Sequence, residues 1–371
     1  MRILITGGGT GGHVYPGITI AQAVRDKVSD AEILFVGSEQ GLEVDVVPRE
    51  GFNLVKIPLA GLPRRISPRL FVALGKAAKG FFAARKIIRE FKPDVAVGTG
   101  GYVCGPVILA AILSGVPTAL QEQNTIPGLT NRLLGRYVKR VYLGYEEAAR
   151  FFKRKRVTTT GNPIRQSVLK VARADGAQRL GLDPAFMTVL VVGASQGARS
   201  INEALLASLP RLMIMPRLQF LHITGQRNYA AVLDAMAHLR LAPQMAARVH
   251  TVPYLHNMPD AYAAADLAVS RAGAISLAEM TARGLPMLLV PYPHATADHQ
   301  TFNARALEKR GAARVIRDEE LTSQRFQAEI IPLLKEQNTL SRMKRASLAA
   351  GRPEAADLIA ADLMELAGYL S

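Results

Sequence analysis

A strand, a glycine-rich turn and a helix start occur twice in this chain, and that repetition limits its fold more than any other feature. The first copy is RILITGGGTGGH (2–13) and the second is TVLVVGASQGARSIN (188–202), with Gly193 lying 186 residues after Gly7. A short apolar strand that turns on glycines into a helix opens a βαβ unit of a parallel sheet. Each half is therefore expected to open its own doubly wound α/β domain. Further strands are expected at 32–36, 94–97, 117–120, 140–143, 219–223, 266–270 and 287–290. In GNPIRQSV (161–168), Gly161 and Pro163 interrupt both periodicities and mark a linker. A length of 371 residues agrees with two cores rather than one.

Composition narrows the setting. Apolar residues make up 49% and charged ones 20%, enough to bury full cores. Cys104 is the sole cysteine, which rules out an internal disulfide and any Cys-based zinc site, and suits a reducing, cytoplasmic compartment. No signal peptide is expected, because glycines cut the apolar start short, and the longest apolar run (105–117) is too short to span a bilayer. The net charge is +16, of which +11 falls within residues 1–163. Arg64, Arg65, Arg69, Lys76, Lys79, Arg85, Lys86, Arg89 and Lys92 share their stretch with a single acid, Glu90, and a second basic cluster runs from Arg132 to Arg156. Such an excess suits a polyanion or an anionic membrane surface, or is simply a solvated basic face. In residues 64–91, Leu70, Phe71, Leu74, Phe81 and Phe82 mingle with the basic residues as an interfacial segment requires, although Phe81 and Phe82 also suit a core.

In GGGTGGHVYPG (7–17), Gly7, Gly9 and Gly12 have the spacing GxGxxG, with His13 directly behind. Dinucleotide domains use that spacing, but they also need an acid at the end of the second strand to hold a ribose. Here the strand ends FVGSEQG, so Gly37 stands where the acid is expected and Glu39 lies beyond it. That disfavours an NAD-dependent oxidoreductase. A second loop, GTGGYVCGP (98–106), again offers bare amides at a helix start, and two such loops side by side make an anion nest unless they serve only tight packing.

In the second half, GASQG (193–197) can cradle another phosphate, with the Ser195 hydroxyl as an added donor. In SRAGAISLAEMTARG (270–284), Arg271 is expected to project at a strand's carboxyl edge and Gly273 to allow close backbone approach. A helix should run from about Ala274 to Arg283, until Gly284 stops it. Ser276 and Glu279 share a helix face, and Glu279 either caps its own helix or accepts hydrogen bonds from a ribose diol. Arg165 is a bidentate donor for a diphosphate, or a surface arginine.

Taken together and in order, GGGTGGHVYPG, GTGGYVCGP, QEQNTIPGLTNRLL (121–134), TGNPIR, VVGASQGARSIN, SRAGAISLAEM and DHQTFNA (298–304) resemble the bacterial undecaprenyldiphospho-muramoylpentapeptide β-N-acetylglucosaminyltransferases of peptidoglycan synthesis. The resemblance covers roughly residues 3 to 310. It implies the B-type glycosyltransferase fold: α/β, two doubly wound Rossmann-like domains facing across a cleft. Residues 1–163 plus 352–371 would bind the acceptor lipid and the membrane, and residues 164–351 would bind UDP-GlcNAc, with 352–370 as a last helix returning to the first domain.

Carried over position by position, the resemblance implies that Arg165 and Ser195 meet the donor diphosphate, the backbone near Leu255 the uracil, Glu279 the ribose and Gln300 the GlcNAc hydroxyls. Arg271, Gly273, Ala274 and Ser276 would shape the phosphate pocket, and Thr10, Gly11, Gly12 and Asn124 would reach the donor from the first domain. The acceptor diphosphate would lie on Gly9, Thr10, Gly12, Gly100, Gly101 and Tyr102. His13 and Asn124 would line the reaction centre, with Glu122 as an alternative base. Two positions depart from the pattern: His299 stands where some members carry a second glutamine, and Cys104 where serine is frequent.

An inverting transfer needs a base for the acceptor 4-hydroxyl and stabilisation of the departing UDP. No DxD motif is present, so no metal and no other cofactor is expected. The implied partners are UDP-GlcNAc, the undecaprenyl-diphosphate-linked muramoyl-pentapeptide, an anionic membrane surface and cell-wall synthesis proteins, with no nucleic acid. The implied location is peripheral, on the cytoplasmic face of the plasma (inner) membrane. A UDP-sugar epimerase of the same fold, an NAD-dependent oxidoreductase and a non-enzymatic nucleotide sensor at the membrane are the alternatives. Replacing Glu279 by alanine is expected to weaken donor use and to leave stability almost unchanged.

Overall fold

The computed structural model describes residues 1–59, 68–193 and 196–369. Ser195, Arg64 and Arg65 lie outside the described residues, and so do the side chains of Arg69, Leu70, Phe71 and Leu74. The chain divides into two compact units, residues 1–164 with 352–371, and residues 165–351.

In the first unit, β1 (Arg2–Gly7), β2 (Glu32–Ser38), β3 (Asn53–Ile57), β4 (Val95–Gly100), β5 (Thr118–Glu122), β6 (Arg140–Leu143) and β7 (Val157–Thr159) form a parallel sheet in the order β3-β2-β1-β4-β5-β6-β7. Its central strands are near-continuous apolar runs, as strands covered by helices on both faces must be. One face packs Ile3, Ile5, Val95 and Val97 against Val14, Ile18 and Ala21 of α1 (Gly11–Lys27). The other packs Leu4, Ala96 and Leu120 against α3 (Pro68–Phe91) and α4 (Cys104–Leu113), with α2 (Glu43–Arg49) and α5 (Leu129–Leu134) flanking. Cys104 is buried on this second face, and the burial pushes its thiol up to about 12, so it acts there as a small apolar residue.

The helix Ala355–Leu366 belongs to the first unit although it closes the chain. Ala356, Ile359, Ala360 and Leu363 complete the α1 face of the core, Asp362 accepts a hydrogen bond from the Tyr142 phenol at 2.5 Å, and Lys27 pairs with Asp357 at 3.5 Å. Ile359 is fully buried. Ile359→Ala should therefore cost about 2–5 kcal/mol. Denaturant titration should place that loss in the first unit, and an unchanged midpoint would show that the helix does not seal the core.

In the second unit, β8 (Met187–Val192), β9 (Leu218–Ile223), β10 (Val249–Val252), β11 (Leu267–Ser270), β12 (Met287–Leu289) and β13 (Ala313–Val315) form a parallel sheet in the order β10-β9-β8-β11-β12-β13. Its two apolar faces are centred on Val189, Val191 and Phe220 and on Leu190, Leu221 and Ala268.

Candidate active site

Each sheet reverses its strand order once, between β1 and β4 in the first unit and between β8 and β11 in the second. The loops after two such strands leave in opposite directions and open a crevice at the carboxyl edge, where open α/β sheets bind ligands.

In the first unit those two loops are the glycine loops. β1 and β4 run in register to Thr6 and Gly98, then shift so that Gly7 pairs with Gly100. Only glycine permits the approach that follows. A Cβ on Gly101 would stand 2.4 Å from the Gly8 carbonyl oxygen and one on Gly100 2.7 Å from His13 Nδ1, and both residues have left-handed φ values of +83° and +105°. Gly100 and Gly101 thus serve first to pack one loop against the other and against His13.

His13 lies in the first turn of α1, half-buried. Its Nδ1 is 3.1 Å from the Thr99 carbonyl oxygen and 3.1 Å from Gln123 Oε1. Gln123 Nε2 donates to the Thr99 carbonyl at 2.6 Å and to the Gln121 carbonyl at 3.2 Å, which fixes Oε1 as the atom facing the ring. With two acceptors at Nδ1 the proton sits there, and Nε2 keeps its lone pair. Burial lowers the ring's pKa below the ordinary 6.5, opposed by the hydrogen bonds to Gln123 and Thr99 and by the charge of Glu43. The ring is therefore a neutral base at pH 7.

Thr10 is the exposed N-cap residue of α1, and its carbonyl accepts the amides of His13 and Val14. The amides of Gly11 and Gly12 open the helix with no acceptor one turn earlier, so they remain available to an anion. Gly9 departs from the expectation of a bare amide: its N–H donates to Glu43 Oε2 at 3.0 Å. Tyr102 places its phenol 3.1 Å from Ser38 Oγ.

Gln123, rather than Asn124, touches the His13 ring. The Asn124 side-chain amide donates to Glu122 Oε1 at 3.2 Å. Glu122 is not an alternative base. It is 1% exposed, and its two oxygens accept the Asn124 and Gly128 amides at 2.9 and 3.1 Å and Asn131 Nδ2 at 2.9 Å. Burial raises its pKa against those hydrogen bonds, and its role is to shape the turn from 122 to 128.

In the second unit the helix Ala274–Ala282 starts at the switch point with Gly273 as its N-cap, and Gly284 follows it with φ +66°. Glu279 does not cap this helix. Its carboxylate is 5% exposed and takes a bidentate pair from Arg165, Nε to Oε1 at 2.7 Å and Nη2 to Oε2 at 3.0 Å. Tyr262 lies buried beside the pair and Ser276, its phenol pushed up by burial and by the Glu279 charge. The structure therefore joins Arg165, Glu279, Ser276 and Tyr262 in one cluster.

Arg271 departs from the expected pocket role. It is 8% exposed, and Nη1 donates to the carbonyls of Val290 and Pro291, each at 3.1 Å, and pairs with Asp318, while Nη2 reaches Ser200 Oγ at 3.1 Å. Its guanidinium braces the loop after β12, because buried donors must be satisfied by the acceptors around them. Gln300 Oε1 accepts the amides of Ala272 and Tyr292 at 3.1 and 3.0 Å, so its Nε2 is left to donate. Leu255 is half-buried in the loop between β10 and the helix Met258–Ala264. His299, half-buried, closes its own turn through Nδ1 and the Thr296 carbonyl at 2.7 Å.

Tyr262, Gln123 and Glu43 were missed by sequence reasoning. Gln123 sits inside the quoted stretch 121–134, but neither Tyr262 nor Glu43 lies in a glycine motif.

Comparison with known proteins supplies the family. Residues 3–143 match the glycosyltransferase family 28 N-terminal domain and residues 188–359 its C-terminal domain. A relative from Halothermothrix orenii is 47% identical over 356 residues, 95% of each chain, and one from Moorella thermoacetica is 46% identical over 360 residues, 97% of each. Both carry the name UDP-N-acetylglucosamine--N-acetylmuramyl-(pentapeptide) pyrophosphoryl-undecaprenol N-acetylglucosamine transferase. The solved structure of Acinetobacter baumannii MurG superposes with a TM-score of 0.77 at 26% identity, covering 98% of this chain and 99% of that one. A UDP-GlcNAc 2-epimerase from Neisseria meningitidis reaches a TM-score of 0.70 at 13% identity over 98% of this chain and all of its own, a likeness of fold alone. The chain belongs to glycosyltransferase family 28, among the N-acetylglucosamine transferases that bear that name.

Proposed function

We infer that the chain is an inverting glycosyltransferase that moves GlcNAc from UDP-GlcNAc to the 4-hydroxyl of undecaprenyl-diphospho-muramoylpentapeptide, making lipid II from lipid I in peptidoglycan synthesis. Near-half identity to named relatives over almost the whole chain carries this reading, and the epimerase, oxidoreductase and sensor alternatives fall away beside it. The test is incubation with UDP-GlcNAc and a short-chain analogue of the muramoyl-pentapeptide lipid. One UDP should be released per disaccharide lipid formed, and the absence of UDP release overturns the assignment.

Within that reading the first unit takes the acceptor and the second the donor. The Gly11 and Gly12 amides and the loop containing Tyr102 receive the acceptor diphosphate, and His13 Nε2 takes the proton of the attacking hydroxyl, with Asn124 nearby in the chain. In the second unit Glu279 accepts from the ribose, Arg165 and Ser195 face the diphosphate, the backbone near Leu255 meets the uracil, and Gln300 donates to GlcNAc hydroxyls. The start of the helix Ala274–Ala282, with Gly273, Ala274 and Ser276, supplies dipolar stabilisation to the leaving group.

The same reading places the chain peripherally on the cytoplasmic face of the membrane. No helix among the described residues is long and apolar enough to cross a bilayer. On α3, Phe82 is 66% exposed beside exposed Lys79, Arg85, Lys86 and Arg89, whereas Phe81 packs partly into the core. Leu109 and Leu113 on α4 and Leu129 and Leu133 on α5 are also exposed, as an interfacial surface requires. Each Lys or Arg near an anionic surface adds roughly 1 kcal/mol, so binding should be strong at low salt and weak at high salt. Flotation with anionic vesicles checks this, and failure to float at low salt removes the membrane surface from the proposal.

A further inference from the structure

The acid missing from the end of β2 reappears at the start of α2, turned inward. Glu43 is 1% exposed, and no Lys or Arg pairs with it among the described residues. Its Oε2 accepts the Gly9 amide at 3.0 Å, and its Oε1 accepts the Ser38 amide at 3.2 Å and the Ser38 hydroxyl at 2.6 Å. Glycines make the room: a Cβ on Gly8 or on Gly41 would stand 2.4 Å from a carboxylate oxygen, and one on Gly37 2.8 Å from Glu43 Cγ. Ser38 Oγ in turn accepts the Tyr102 phenol, which comes from the second glycine loop.

We propose that Glu43 is a positioning residue for the acceptor: seated in the hollow left by Gly8, Gly37 and Gly41, it fixes the first glycine loop and, through Ser38 and Tyr102, ties it to the second. The inference rests on the acceptor reading of this unit. A buried carboxylate that accepts several N–H and O–H bonds holds a loop more firmly than neutral hydrogen bonds do, because charge-assisted bonds are stronger. Burial lowers the pKa of the His13 ring, and the Glu43 charge opposes that shift in small part.

The experiment uses the full chain with Glu43→Gln and Ser38→Ala, assayed with UDP-GlcNAc and the short-chain lipid analogue across pH. Glu43→Gln sets an amide NH₂ against a backbone or hydroxyl donor. It should raise the acceptor KM about tenfold, leave the donor KM near wild type, and move the acidic limb of the kcat profile to lower pH. Ser38→Ala cuts the tie to Tyr102 but keeps the charge, so the acceptor KM should rise while the acidic limb stays in place. Wild-type acceptor KM and acidic limb in Glu43→Gln overturn the proposal, and so does an equal rise in both KM values together with a lowered Tm, the mark of a purely structural residue. If Glu43→Gln yields no folded protein, Ser38→Ala decides, and an unchanged acceptor KM there overturns the tie. A wild-type chain that releases no UDP with this acceptor fails the functional reading instead, which is a distinct result.

Discussion

His13→Ala is expected to lower kcat by ~10²- to 10⁴-fold, the usual loss on removing a general base, while the KM for UDP-GlcNAc stays near wild type because the proposed function gives the donor to the second unit. The chemistry needs an unprotonated nitrogen beside the acceptor hydroxyl. The Thr99 carbonyl and Gln123 Oε1 supply it by holding the ring proton on Nδ1, which leaves Nε2 as the lone pair. The sign of the pH dependence follows. Burial holds the ring's pKa below 6.5, so the ring is neutral at neutral pH and gains its second proton only as pH falls below that value. The acidic limb of kcat should therefore lie on the acid side of an ordinary histidine and vanish in His13→Ala. Gln123→Leu removes one acceptor from Nδ1 and should lower kcat more than either KM. A His13→Ala variant that keeps wild-type kcat and its acidic limb sinks the assignment of the base.

Glu279→Ala should raise the KM for UDP-GlcNAc by the equivalent of about 1.5–3 kcal/mol, the range for a hydrogen bond to a charged group. The structure changes the second half of the expectation. Glu279 is bidentate to Arg165 and nearly fully buried, so alanine removes both of those charge-assisted bonds, and the melting temperature should fall as well. Glu279→Gln separates the two effects, because it keeps the volume and one acceptor while losing the charge that a ribose diol would meet. If the donor KM is unchanged in both variants while stability drops, Glu279 is a structural partner of Arg165 and not a ribose ligand.

The interior of both sheets was legible because its strands are unbroken apolar runs. The four strands absent from the sequence reading, β3, β7, β10 and β13, are the four sheet edges. The first three are mixed: β3 and β7 expose residues on their outer side, and β10 is only partly buried. β13 has three residues. Strands of this kind carry little periodic signal. The glycine loops were legible for the opposite reason, since a strand running into glycines has few other uses.

Two doubly wound units, their glycine turns at helix starts, His13 directly behind the first of them, and the family are all readable along the chain. Those are local patterns, set by neighbours within a few residues. Pairing over long separations exists only once the chain is folded: Gln123 against His13, Arg165 against Glu279, Arg271 turned inward to Asp318, and Glu43 beneath Gly9. Each is a polar group whose partner lies 34 to 114 residues away. A buried donor or acceptor takes whichever complement the folded backbone brings to it, and no short-range pattern in the chain records that choice.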